Sequence, residues 1–136
     1  MRLGSLPNMR HQQTPAILVV EDDFLIRMNA VDIFQDAGFL VYEAGNAEEA
    51  IQALEQRRDI RLLFTDVNMP CSMDGLDLAR YAFKRWPSVA LIVTSGRQSF
   101  RSADLPPRSL FIAKPYRASQ ILHEMRQMIG DEALLG

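Results

Sequence analysis

Ala16, Ile17, Leu18, Val19 and Val20 form an unbroken apolar run, the pattern of a strand buried on both faces of a sheet. It ends in three acidic residues, Glu21, Asp22 and Asp23. Ile26, Ala30, Ile33, Phe34 and Ala37 then recur at the spacing of one helical face, and Gly38 stands where a helix C-terminal glycine belongs. This predicts a helix over residues 24–37, followed by a second strand over 39–44. Asn46 and Glu49 have capping-box spacing, and Ala50, Ile51 and Leu54 give the next helix its inner face. Leu62 to Thr65 read as a third strand that stops at Asp66, and a helix starts near Asp74 or Gly75 with Leu76, Ala79, Phe83 and Trp86 along its inner side, ended by Pro87. Residues 90–94 and 110–113 supply strands four and five. The last helix, 119–129, carries Ile121, Leu122, Met125, Met128 and Ile129. Between strands four and five, Pro106-Pro107 and few apolar residues leave room for about two helical turns at 98–104.

Five strands alternating with helices predict an α/β fold: a doubly wound five-stranded parallel sheet with helices on both faces, because parallel strands need right-handed crossovers. Length fits one domain of 136 residues. It divides into a flexible N-terminal tail over 1–15, the folded unit over 16–130 and a short C-terminal tail over 131–136. No apolar run approaches the roughly 20 residues of a membrane-spanning helix. The net charge of −2 argues against a direct nucleic-acid or membrane surface, and Arg57, Arg58 and Arg61 are too few to change that. Cys71 is the single cysteine, so neither an internal disulfide nor a cysteine-rich zinc site is available, which points to the cytoplasm.

In such sheets, functional groups collect beyond the carboxyl ends of the strands. There stand Glu21, Asp22 and Asp23 after strand one, Asp66 after strand three, Thr94 and Ser95 after strand four, and Lys114 after strand five. Carboxylates that converge share protons or hold a cation, and an oxygen-only site suits Mg2+. Equally, the acidic run could cap a helix, a role that fits Asp23 best. Asp66 at the end of a buried strand is placed to attack a phosphoryl donor as a nucleophile, with a hydroxyl from Thr94 and a cation from Lys114 around the phosphoryl oxygens. Only Lys84 and Lys114 are lysines among 15 basic residues, which singles out Lys114 as a compact point charge. Taken singly, Asp66 could cap a turn, Thr94 could serve as a strand residue and Lys114 could be solvated.

Val19-Val20-Glu21-Asp22-Asp23, Thr65-Asp66-Val67-Asn68-Met69-Pro70, Met73-Asp74-Gly75, Val93-Thr94-Ser95 and Lys114-Pro115-Tyr116 together resemble the successive signatures of response-regulator receiver domains. The resemblance spans about residues 17–129 and implies the flavodoxin-like strand order 2-1-3-4-5. It implies that Asp66 accepts a phosphoryl group from a histidine kinase or histidine phosphotransfer protein in a bacterial phosphorelay. Mg2+ (or Mn2+) would be held by Glu21, Asp22, Asp66 and the backbone carbonyl of Asn68. Thr94 and Lys114 would contact the phosphoryl group, Phe111 would turn inward with Thr94, and the Lys114-Pro115 bond would be cis. The chain would act on a downstream protein as a stand-alone receiver, or derive from a hybrid kinase, with a homodimer as a further option. Three features depart from the family: Cys71 and Ser72 lengthen the loop after Pro70 by one residue, the Thr94 to Lys114 interval is short, and Phe111 lacks the hydroxyl of the commoner tyrosine. Two rivals remain at this point. An Asp-nucleophile phosphatase would want a second carboxylate where Asn68 stands, and a phosphorylation-independent binding module would keep the fold alone.

Overall fold

The computed structural model describes residues 15–69, 73–96 and 105–130. Along these the chain forms β1 (Ala16–Val20), α1 (Phe24–Asp36), β2 (Leu40–Ala44), α2 (Ala47–Gln56), β3 (Ile60–Asp66), α3 (Gly75–Arg85), β4 (Ala90–Ser95), β5 (Ser109–Ala113) and α4 (Ala118–Ile129). The helix expected over 98–104, the lengthened loop at Cys71 and the two tails up to Thr14 and after Gly130 lie outside the described residues. The five strands form one parallel sheet in the order β2-β1-β3-β4-β5, as the resemblance implied.

The continuous apolar run of β1 is explained by its central place, since alternate side chains enter two different cores. Ala16, Leu18 and Val20 join Ala47, Ala50 and Leu54 of α2 and Leu78, Ala79 and Ala82 of α3 on one face. Ile17 and Val19 join Ala30, Val31 and Phe34 of α1 and Ile121 and Met125 of α4 on the other. Both faces are thus sealed, leaving the strand ends as the place where polar groups can gather.

Helix starts are set by side-chain caps. Asp23 accepts from Ile26 N at 3.0 Å and Asp74 from Asp77 N at 2.9 Å, each satisfying an orphan amide of the first turn. At α2, Asn46 accepts from Glu49 N at 2.9 Å, but the Glu49 carboxylate takes its 2.7 Å bond from Gly45 N, one residue upstream of the amide the capping-box pattern names.

Two helix faces differ from the periodicity. In α1, Ile26 is 37% exposed and Val31 is buried instead, because the first turn stands beside the Lys114-Pro115-Tyr116 loop across an open hollow. In α3 the inward residues are Gly75, Leu78, Ala79 and Ala82, with Leu76, Phe83 and Trp86 only half-buried. The cause is Gly75: a Cβ there would fall 1.8 Å from the Asp66 carbonyl oxygen, so backbone contact orients the helix.

Candidate functional site

The carboxyl ends of β1, β3, β4 and β5 are stitched together by main-chain bonds. Val67 N donates to Thr94 O at 2.8 Å, and Lys114 N donates to Ser95 O at 2.9 Å. In register, Asp66 pairs with Thr94, Thr94 with Ile112 and Ser95 with Ala113. The sheet therefore delivers Asp66, Thr94 and Lys114 to one rim although they are far apart in the chain. Gly75 N bonds Val67 O at 2.9 Å, which draws α3 against the end of β3.

Three carboxylate oxygens, one each from Glu21, Asp22 and Asp66, lie within 4.8 Å of one another. Lys114 Nζ bonds Glu21 Oε1 at 2.9 Å and lies 3.3 Å from Asp66 Oδ1. The second contact has ion-pair distance without hydrogen-bond geometry, and Asp66 Oδ1 is buried with no hydrogen-bond partner. A buried acceptor left in this condition, among other oxygens, calls for a cation. The donor set fits Mg2+ or Mn2+, hard ions that take carboxylate and carbonyl oxygens and retain waters.

Electrostatics agree with an acid-rich pocket short of positive charge. Burial pushes the Asp66 carboxyl above its ordinary range, against the pull of Lys114 and the Asn68 backbone N–H. Glu21 is pushed up by burial too, with Lys114 and the Asp23 N–H opposing. Burial works to lower the Lys114 pKa, but its bond to Glu21 and its nearness to Asp66 outweigh this and the net shift is upward.

Of the residues picked out by sequence, Glu21, Asp66 and Thr94 are buried, Asp22 is exposed at the mouth and Lys114 is half-buried. Asp23 caps α1. Asn68 is exposed and its amide donates to Ser95 Oγ at 3.2 Å. Phe111 is half-buried on β5 beside Val93, and the Lys114-Pro115 peptide is cis. His123 is exposed on α4. Two contributors were not legible as such. Gly75 was visible only as part of a motif, while its contact with Asp66 depends on tertiary approach. Arg27, which bonds the Glu21 carbonyl at 2.7 Å, sits on the helix as one charged residue among several.

Beside this site the surface is apolar. Phe24, Leu25, Ile26 and Met28 are 59%, 73%, 37% and 43% exposed, and Leu25 and Ile26 share a hollow with Lys114, Pro115 and Tyr116. Among the described residues, no helix is long and apolar enough to cross a membrane.

The family model described as response regulator receiver domain matches residues 17–126. The chain is 31% identical over 117 residues to the sensor kinase CckA of Brucella abortus, covering 83% of this chain but only 12% of that protein. It is 30% identical over 116 residues to the response regulator receiver protein CpdR of the same organism, covering 83% of this chain and 95% of CpdR. Among solved structures, a response regulator receiver protein from Sinorhizobium medicae superposes with a TM-score of 0.79 at 25% identity, covering 85% of this chain and 94% of that one.

Proposed function

The chain belongs to the response regulator receiver domain family of two-component signalling, and on that premise we propose that it is a phosphoacceptor switch rather than a turnover enzyme. The observation that carries this reading is the buried Asp66 Oδ1, unsatisfied by hydrogen bonds yet 3.3 Å from Lys114 Nζ and ringed by Glu21 and Asp22. Glu21, Asp22 and Asp66, with the backbone carbonyl of Asn68, would hold Mg2+ or Mn2+. When bound, the ion neutralises charge on the phosphoryl oxygens.

An Asp66 carboxylate oxygen attacks the phosphorus of a phosphohistidine on a histidine kinase or phosphotransfer protein. The new P–O bond forms on Asp66, the P–N bond of the donor breaks, and its electron pair stays on the imidazole nitrogen. Lys114 pairs with a phosphoryl oxygen, and the Thr94 hydroxyl, on the neighbouring strand in direct register, bonds another. Phe111 follows Thr94 inward and alters the face offered to a downstream protein in the bacterial cytoplasm. A protein donor is supported by the exposed apolar turn of α1 beside Lys114, since such patches mark association surfaces. The phosphatase alternative loses ground because the position two residues after Asp66 holds Asn68, an amide engaged with Ser95, in place of an acid.

The test is intact mass after incubation with Mg2+ and a small acyl phosphate. One phosphoryl adduct is expected, lost in Asp66→Asn and in chelator, with Lys114→Ala still binding Mg2+ but failing to switch. Full labelling of Asp66→Asn would remove Asp66 as the acceptor. No adduct, together with no trapping by a beryllofluoride mimic, would leave a phosphorylation-independent binding module.

A further inference from the structure

Resting on the reading above, we infer that Arg27 is a positioning residue for the metal-binding turn, setting divalent-cation affinity without touching the cation. The residue-by-residue ties of the turn between β1 and α1 lead to it. Glu21 is held at every polar group. Its N–H donates to Ala44 O at 3.1 Å, its carboxylate accepts from Lys114 Nζ at 2.9 Å and from Asp23 N at 3.2 Å, and its carbonyl accepts from Arg27 at 2.7 Å. Asp22 differs, being exposed with no hydrogen-bond or ion-pair partner for its carboxylate among the described residues. What fixes Asp22 is the peptide that joins it to Glu21, and the carbonyl of that peptide is the one Arg27 grips.

The guanidinium can do this because it is itself held. Arg27 Nε bonds Glu43 Oε1 on edge strand β2 at 3.1 Å, its side chain is only 19% exposed, and its guanidinium carbon lies 5.5 Å from the Phe24 ring centroid. Gly45 supplies room on another side, where a Cβ would come within 3.4 Å of the same nitrogen that bonds Glu21. A planar fork with two fixed acceptors is pre-organised in a way that a lysine ammonium is not. Thus α1, β2 and the acidic turn are locked together, and the direction of Asp22 is set before any cation arrives.

The sign of the effect separates this role from simple charge. Arg27 carries a positive charge on the helix that follows the acidic turn, so by Coulomb's law alone its removal would leave divalent-ion binding unchanged or tighten it. Positioning demands the reverse. The experiment titrates Mg2+ alone into wild type, Arg27→Gln and Arg27→Lys by calorimetry, and measures the 15N order parameter of the Asp22 amide in the metal-free proteins. Expected are binding about tenfold weaker in Arg27→Gln, partial recovery in Arg27→Lys, and a drop at Asp22 from about 0.85 toward 0.6. Melting of the metal-free variants reports their folding, and should Arg27→Gln fail to fold, Arg27→Lys weaker than wild type carries the expected result. Equal or tighter Mg2+ binding by the folded variants, with wild type binding normally, overturns the inference and leaves the proposed function standing. Absence of Mg2+ binding by wild type overturns the proposed function, and the inference with it.

Discussion

Gly75 is the residue at which fold and site meet most tightly. An added Cβ would sit 1.8 Å from the Asp66 carbonyl oxygen and 2.9 Å from Val67 Cα, and neither is a side-chain end that can swing away. Gly75→Ala therefore has to push α3 off the end of β3. The expected cost is about 3 kcal/mol, the upper part of the range for forced overpacking, read as a lower urea midpoint. Phosphorylation of the remaining folded protein should fall as well, because Val67 O loses the 2.9 Å bond from Gly75 N beside the acceptor. Asp66, Thr94 and Lys114, each with an ordinary role when taken singly, were readable together because the strand ends of a doubly wound sheet converge and the motifs around them occur in order. Gly75 carried no comparable signal of its own, because a close approach between a helix start and another strand is invisible to local pattern.

At the scale of elements, strands were easier to read than helix faces. β1 announced itself by five consecutive apolar residues, all buried, whereas α1 has apolar residues on more than one side. Periodicity alone placed Ile26 inside, yet the first turn of α1 overhangs the rim and Val31 takes the inner place. That excess of exposed apolar surface is the part of the helix that sequence reading did not assign. Leu25, 73% exposed, gives its test. Leu25→Ser should change stability by less than about 0.5 kcal/mol, as for other surface substitutions. Labelling by a small acyl phosphate should be unaltered, while transfer from a phosphorylated protein donor should slow about tenfold, the loss of one anchoring contact at an interface. Equal slowing with both donors would place Leu25 in the chemistry and not in docking.

For the whole molecule, the raised carboxyls make metal-free stability depend on pH. Glu21 and Asp66 titrate above their ordinary values of 4.5 and 3.8 because burial penalises the charged form. The native state then holds more protons than the unfolded chain between the ordinary and the raised values, and stability falls as pH rises through that window. Lys114 is raised too, so the sign is the same at the alkaline end: its contribution is present below its ordinary 10.5 and is lost as pH rises through its higher folded value. Urea midpoints from acid to neutral pH should decline in metal-free wild type and decline less in Asp66→Asn. Saturating Mg2+ should restore wild type at neutral pH, by about 2.7 kcal/mol when the ion is at a hundred times its dissociation constant. The doubly wound parallel sheet followed from the alternation of elements, and its strand order from the motif resemblance. Sequence placed these groups at one rim, but it could not supply the contacts by which Lys114 serves Glu21 and Asp66 at once.

The same strand order has a consequence during synthesis. β2, β1 and β3 come from the first half of the chain and are neighbours in the sheet, so they can pair as soon as β3 leaves the ribosome, bringing Glu21, Asp22 and Asp66 to one edge. Lys114, the ammonium that sits between two of them, is added on the order of seconds later at usual elongation rates. Any pairing of these three strands before β5 is made brings the three carboxylates together without the ammonium that joins two of them, and β5 supplies it on arrival.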